Sequence, residues 1–114
     1  MPHFLIQAAY TTEAVQSLVQ NPQSRASVIQ AAVEKLGGRL HNMFLSFGDY
    51  DAVAIIEMPD NVAAAGIALA FASGGAVKNI KTTPLLTGAE GIEAAKKASA
   101  SGYRSVLQTA KAAG

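Results

Sequence analysis

The 114-residue sequence contains no cysteine, few charged residues and no long hydrophobic run. The lack of cysteine excludes disulfides, thiolate metal ligands and cysteine nucleophiles. It fits a reducing compartment, and we therefore expect a cytoplasmic protein. No apolar run reaches the roughly 18 residues that a membrane helix requires, and the first residues lack the basic region of a secretory signal. The sequence thus predicts neither membrane insertion nor export.

Charged residues make up only 15% of the chain, whereas hydrophobic residues make up 50%. Monomeric proteins seldom expose large apolar patches. We therefore expect part of this surface to be covered by another copy of the chain, in a homodimer or a larger homo-oligomer. The formal net charge is +1, so no overall field favours binding to nucleic acid or to an acidic membrane.

Hydrophobic periodicity predicts a β-α-β-β-α-β order of elements. Strand-like alternation occurs in four segments, 3–10, 39–47, 52–58 and 77–83. A main helix ends at Gly37, and a second helix is predicted over 61–73 with Asp60 as its N-cap. This order is that of the ferredoxin-like fold, an α+β class with a four-stranded antiparallel sheet and both helices on one face. The first and third strands are then central, and the other sheet face is bare.

Two helix predictions are more specific. Asn21 suits an N-cap and Pro22 suits a first helical position, so the segment before Gly37 is either one helix kinked at Pro22 or a short turn followed by a main helix. In the second helix the predicted packing stripe consists of small and apolar residues, Ala65, Ala68, Leu69 and Ala72.

The C-terminal region has its own helix signals. Thr87 and Glu90 have the spacing of a capping box, which predicts a third helix from this point. A break at 99–102 precedes a fourth, short helix. We therefore divide the chain into a ferredoxin-like domain, residues 1–87, and a helical C-terminal extension, residues 88–114.

The stretch SFGDYDAV, residues 46–53, connects the second and third predicted strands and indicates a β-hairpin. Gly48 can adopt a positive φ, and Asp51 can close a turn on the backbone. This structural interpretation is favoured. In the alternative, functional interpretation Tyr50 is a donor and Asp51 an acid or base at the mouth of a pocket, since loops on rigid scaffolds often carry function.

The segment Gly48-Asp49-Tyr50-Asp51-Ala52-Val53-Ala54, preceded by Leu36-Gly37-Gly38-Arg39-Leu40, resembles the GYD-domain family. The region from Asn21 to Ala26 and the segment 73–77 are also similar to that family, and the resemblance covers about residues 3–87. It implies a ferredoxin-like protomer of the dimeric α/β-barrel superfamily, in which two sheets pair face to face. That superfamily includes cofactor-independent monooxygenases, isomerases, haem enzymes and ligand-sensing domains.

The candidate ligand-binding residues are Gln7, Arg39 and His41, which lie on predicted strand faces, and Tyr50 in the hairpin. His41 shares a predicted face with Arg39 and Met43, and His3 shares one with Gln7. If these faces coincide, they line a semi-polar cavity together with Asn42 or Glu57. The more ordinary interpretation of each histidine is a partly exposed strand residue.

The candidate catalytic residues are His41, Tyr50 and Asp51, because a histidine near an acid is the usual general base. A metal site needs about three ligands, and two histidines far apart in sequence supply too few, so we expect no metal and no cofactor. RNA recognition is not expected, because the third strand, AVAIIEM, has no aromatic residue on which a base could stack.

Three functions remain open. The first is an oligomeric binder of a small hydrophobic molecule. The second is a cofactor-independent monooxygenase or isomerase of the dimeric α/β-barrel type. The third is a structural oligomerisation module, whose apolar sheet face would be packed solid against a second copy.

Overall fold

A computed structural model describes the backbone of residues 1–113 and the side chains of residues 1–109. The elements are β1 (His3–Tyr10), α1 (Thr12–Gln20), α2 (Ala26–Lys35), β2 (Arg39–Leu45), β3 (Ala52–Glu57), α3 (Asn61–Ser73), β4 (Val77–Leu85), α4 (Gly88–Ala100) and α5 (Val106–Ala113). The strands form one antiparallel sheet in the order β2-β3-β1-β4. The predicted ferredoxin-like α+β fold, with the first and third strands central, is confirmed.

The core lies between one face of this sheet and helices α2 and α3. Its buried residues are Phe4, Ile6, Val33, Ala54, Ile56, Met58, Ala64 and Ile67. Burial of each large side chain stabilises the fold by about 1.5–3 kcal/mol. Residues that alternate with the core residues along the central strands, Leu5, Val53 and Ile55, are only partly buried and lie on the other face. We call this second face of the sheet the open face.

The connection from β1 to β2 contains two separate helices. Helix α1 begins after Thr11, whose hydroxyl accepts a hydrogen bond from the amide of Ala14 at 3.2 Å. Asn21 closes α1, because its amide donates to the carbonyl of Ser17. Helix α2 begins only at Ala26. The predicted helix start at Asn21-Pro22 is therefore wrong, since proline disfavours helical backbone in the residue before it and so ends α1 there.

Helix α3 starts as predicted but packs through a different face. The Asp60 carboxylate accepts from the amide of Ala63 at 2.8 Å, as expected of an N-cap. The buried residues are Ala64 and Ile67, whereas Leu69, in the predicted stripe, is 70% exposed. The prediction failed because α3 is apolar on nearly every side, so periodicity alone does not identify its buried face.

Strand β2 is shorter and less regular than predicted. A bulge lies between Leu40 and Asn42, and a bulge changes the alternation of side chains along its strand. Met43 consequently packs against the core together with Leu40, and the predicted shared face of His41 and Met43 is wrong. The strand ends at Leu45, so Phe47, expected within it, lies in the hairpin loop and is 98% exposed.

Helices α4 and α5 project from the sheet domain. The predicted capping box is present: Glu90 accepts from the amide of Thr87 at 2.9 Å, and Thr87 accepts from the amide of Glu90 at 3.2 Å. No residue of α4 is buried. The described chain measures 65 × 29 × 21 Å, with a radius of gyration of 18.9 Å, against about 13 Å for a compact domain of this length. No helix within residues 1–113 is long and apolar enough to cross a membrane.

Candidate functional site

Two histidines and a glutamate meet on the open face, at the end of the sheet where β1 and β2 begin. The Nε2 atom of His3 lies 2.9 Å from Oε1 of Glu57, and Nε2 of His41 lies 3.1 Å from the same oxygen. The two imidazole rings are stacked, with centroids 5.4 Å apart and an interplanar angle of 19°. We call these three residues the His–Glu cluster. It joins the first, second and third strands through a single carboxylate oxygen.

The register of the sheet explains how residues so far apart in sequence meet. His3 lies directly opposite Glu57 across β1 and β3, and Arg39 lies opposite Glu57 across β2 and β3. His41 is the residue inserted by the bulge in β2, so it has no partner in the register. Bulges often redirect a side chain next to a functional site. Here the bulge directs the His41 ring towards Glu57.

The electrostatics of the cluster favour an ionised glutamate. The hydrogen bond from His41 is the largest influence on the Glu57 carboxyl and lowers its pKa below the usual 4.5. Burial acts in the opposite direction and ranks second, and the charges of His3 and His41 lower the pKa by smaller amounts. Glu90, at the start of α4, also has a lowered pKa, chiefly through its hydrogen bonds with Thr87 and to a lesser extent through His3. The Glu57 carboxylate can therefore remain negatively charged between two imidazole rings that donate hydrogen bonds to it.

The predicted ligand-binding residues on strands share the open face with the cluster, but at different distances from it. Arg39 is exposed and lies beside Glu57 in the same row of the sheet. Gln7 is partly buried and lies opposite Val53. Leu5 and Ile55, which pair with each other, separate Gln7 from the cluster. The structure thus brings His41 and Arg39 together, with an apolar row between them and Gln7.

Asp51 lies at the other end of the sheet and makes contacts that hold the hairpin. Its carboxylate accepts from the amide of Tyr10 at 2.8 Å, and its own amide donates to the carbonyl of Ala8 at 2.8 Å. Its carbonyl accepts from the amide of Ser46 at 2.9 Å. Gly48, in the same loop, has a φ of 147°, which is the positive value predicted for it. These bonds support the structural interpretation of the loop.

The tyrosines near this end have different surroundings. Burial raises the pKa of the Tyr10 hydroxyl, and the Asp51 charge raises it further, whereas Arg25 lowers it. Tyr50 is partly buried. Its carbonyl accepts from the Ser46 hydroxyl at 2.8 Å. Within the described side chains its own hydroxyl makes no hydrogen bond. Tyr50 therefore has no bonded partner that would activate it as an acid or base.

The three candidate catalytic residues do not converge. His41 neighbours Glu57 at the end of β3, whereas Tyr50 and Asp51 precede its beginning. These ends are about 20 Å apart, because a strand rises about 3.4 Å per residue. One small substrate cannot contact both ends within a single chain.

Sequence reasoning raised the meeting of the His3 and His41 faces only as a condition, and it treated the two histidines as too far apart to act together on a metal. The available signal was the position of His3 at the start of one central strand and of Glu57 at the end of its antiparallel neighbour. The inserted residue in β2 gave no comparable signal, because a bulge depends on backbone pairing that one strand alone does not show.

Comparison with known proteins agrees with this fold. The GYD domain family matches residues 4–95. A similar protein from Thermus thermophilus is named glutamine synthetase and cystathionine beta-lyase binding protein. It is 31% identical over 80 residues, which cover 70% of this chain and 84% of the relative. The family match spans the sheet domain and continues into α4. The chain belongs to the GYD domain family.

Proposed function

We propose that this protein is a cytoplasmic binding protein that self-associates through the open face of its sheet and docks onto partner proteins. The observation that carries the proposal is the open face itself. Its central strands present apolar side chains, Leu5, Val53 and Ile55, that are only partly buried and lie on the face away from the helix-packed core. Next to them, Phe44 on β2 is 61% exposed. Exposed apolar patches of this kind mark interaction sites.

A second copy is the natural cover for this face. The same residues would meet in a two-fold contact, and such contacts are the commonest in homo-oligomers. The resemblance to dimeric α/β barrels supports the same arrangement. A polar cluster at one end of the face and apolar rows along its centre would give the contact a defined register.

A role in binding other proteins draws support from the relative in Thermus thermophilus, which is named for binding two enzymes. We extend this class of role, a protein that binds enzymes, to the present chain. Catalysis has weaker support, because the candidate residues lie at opposite ends of the sheet, and this argues against the monooxygenase or isomerase alternative.

Binding of a small hydrophobic molecule is the second candidate. Two open faces that met loosely would enclose a space with apolar walls and polar ends. Leu5 and Ile55 would form its walls, and the His–Glu cluster and Arg39 would form its polar end. A tightly packed contact would leave no such space and would make the protein a purely structural module.

Self-association can be tested with substitutions on the two sides of the sheet domain. Ile55→Lys puts a charge in the middle of the open face, and Phe44→Ser removes an exposed ring that the fold does not need. Leu69→Lys, on the exposed side of α3, is the matched control. We expect sedimentation equilibrium to show an oligomer for the wild type and for Leu69→Lys, and a monomer for Ile55→Lys. A monomeric wild type, or an oligomer that only Leu69→Lys disrupts, would reject the proposal.

Partner binding needs a separate measurement. Immobilised protein is titrated with glutamine synthetase and with cystathionine beta-lyase from the same organism as this chain, using Leu69→Lys and Ile55→Lys side by side. Saturable binding of either enzyme supports the docking role. A thermal-shift screen of small hydrophobic compounds tests the second candidate, because a ligand that binds the native state raises the melting temperature.

A further inference from the structure

The His–Glu cluster contains both histidines of the chain, and no cysteine is available elsewhere. Both imidazole rings of the sequence, the side-chain nitrogens best suited to a transition metal, therefore belong to this one cluster. The donor atoms of His3, His41 and Glu57 all lie within 4.8 Å of one another. One chain supplies all three donors, so the set needs no second copy, although it lies at one end of the open face.

Two imidazole nitrogens and one carboxylate oxygen form a donor set that is used for Zn²⁺, with three protein ligands and one position left for water. Zinc bonds of about 2.0–2.1 Å in a tetrahedral arrangement separate neighbouring ligand atoms by about 3.3 Å. The two nitrogen–oxygen distances here are 2.9 and 3.1 Å. The third pair, nitrogen to nitrogen, lies within 4.8 Å, and the rings are partly exposed, so they have room to rotate towards a common ion.

We propose that His3, His41 and Glu57 form a binding site for a divalent transition-metal ion of the zinc type. The sequence alone predicts no metal, because two histidines far apart in the chain are too few ligands. The bulge in β2 supplies the missing proximity: it directs His41 to the oxygen that His3 also contacts. All three residues are on paired strands, which hold the ligands in place more rigidly than a loop does.

The type of ligand atom and the exposure of the side chains determine which ions can bind. Imidazole is a good ligand for Zn²⁺, Co²⁺, Ni²⁺ and Cu²⁺, whereas Mg²⁺ and Ca²⁺ require mostly oxygen ligands. The side chains of His3 and His41 are 36% and 33% exposed, so an ion can reach them from solvent in the single chain. On binding, each Nε2 presents its lone pair to the metal instead of a proton to Glu57. Zinc binding therefore competes with protons.

The test uses full-length protein without a histidine tag, titrated with Zn²⁺ by calorimetry. We expect one ion per chain in the wild type and an affinity lower by about tenfold or more in His41→Ala and Glu57→Gln. Glu93→Gln, which removes a carboxylate on the exposed helix α4, is the matched control and should bind like the wild type. Mg²⁺ should give no saturable binding.

Nuclear magnetic resonance of the wild type provides a readout that does not depend on whether the variants fold. With only two histidines in the chain, the ring nitrogens give two sets of signals. The proposal requires both sets to shift together and to saturate at one Zn²⁺ per chain. A shift of one set alone, the absence of saturation, or unchanged affinity in folded His41→Ala would overturn it.

Discussion

The carboxylate of Asp51 accepts a hydrogen bond from the amide of Tyr10 at 2.8 Å, across 41 residues of sequence. The amide faces β3 but lies beyond the last pair of β1 with β3, Ala8 and Ala52. A backbone N–H beyond the end of the neighbouring strand has no strand carbonyl opposite it and needs another acceptor. Asp51 supplies that acceptor, and thereby joins the hairpin loop to the first strand.

We predict that Asp51→Ala lowers the free energy of unfolding by about 1–3 kcal/mol, because it leaves a partly buried amide without a partner. Asp51→Asn should cost less, since its amide oxygen can still accept the bond. Urea denaturation of both variants measures the difference. Asp49→Ala, at an exposed position in the same loop, should stay within about 0.5 kcal/mol of the wild type.

The same variants have a spectroscopic readout. The Asp51 charge helps to raise the pKa of Tyr10, so its removal should lower that pKa in a titration followed by tyrosinate absorbance. Equal losses of stability in Asp49→Ala and Asp51→Ala, or an unchanged Tyr10 pKa in Asp51→Asn, would mean that the contact has no such role.

Gly38 is required for a different reason, the close approach of the chain to β3. A Cβ at this position would meet the carbonyl oxygen of Glu57, the sulfur of Met58 and Cγ1 of Val33, the last at 3.0 Å. We predict that Gly38→Ala destabilises the fold by about 1–3 kcal/mol through overpacking. Thermal and urea unfolding measure this loss.

The control for this substitution is Gly91→Ala in helix α4. A Cβ there meets nothing within 4 Å, and alanine favours the helix over glycine by up to about 1 kcal/mol. Gly91→Ala should therefore leave stability unchanged or raise it slightly. Equal effects of the two substitutions would show that the contact at Gly38 is relieved at little cost.

The order of elements was predictable because local signals and global pattern agree. The end of α2 before Gly37, the N-cap of Asp60 and the capping box of Thr87 are local signals that the structure confirms. The hairpin around Gly48 was predictable on the same basis. Each depends on residues within a few positions of one another, so one sequence is sufficient to identify them.

The errors arose where partners distant in sequence decide the outcome. The face of α3 depends on which side meets the sheet, and its nearly uniform apolar surface conceals that choice. Met43 faces the core because it pairs with the core residue Ala54 after the bulge. The His–Glu cluster likewise needs the register of three strands. Such information lies in the pairing of the sheet rather than in the periodicity of one segment.

Acid should weaken the fold through Glu57. Because the pKa of Glu57 is lower in the folded state than its ordinary 4.5, the unfolded chain binds the proton more readily. The stabilisation is fully present above about pH 4.5 and is lost as pH falls through the lower, folded pKa. We predict that the free energy of unfolding of Glu57→Gln depends less steeply on pH than that of the wild type, as measured by urea unfolding between about pH 3 and 6.

Glu93→Gln is again the control, and its free energy of unfolding should depend on pH as steeply as that of the wild type. Glu90 also has a lowered pKa, so some dependence on pH should persist in Glu57→Gln. An identical dependence on pH in the wild type and Glu57→Gln would contradict the role given to the hydrogen bond from His41.

The C-terminal helices should be dispensable for folding. The core contains no described residue of α4 or α5, and α4 buries none of its side chains. We therefore predict that deletion of residues 88–114 leaves the free energy of unfolding within about 1 kcal/mol of the full chain. Circular dichroism should lose helical signal while urea unfolding stays cooperative. A shorter deletion, of residues 101–114, should behave in the same way.

The oligomeric state of the truncated protein separates two explanations for its exposed apolar residues. Ile92 and Tyr103 are 62% and 78% exposed on the projecting segment, so this segment offers a second contact surface. If the open face of the sheet is the interface, the truncated chain keeps the oligomeric state of the full chain, whereas Ile55→Lys abolishes it. If truncation alone yields monomers of unchanged stability, the helices form the contact and the sheet-face proposal fails.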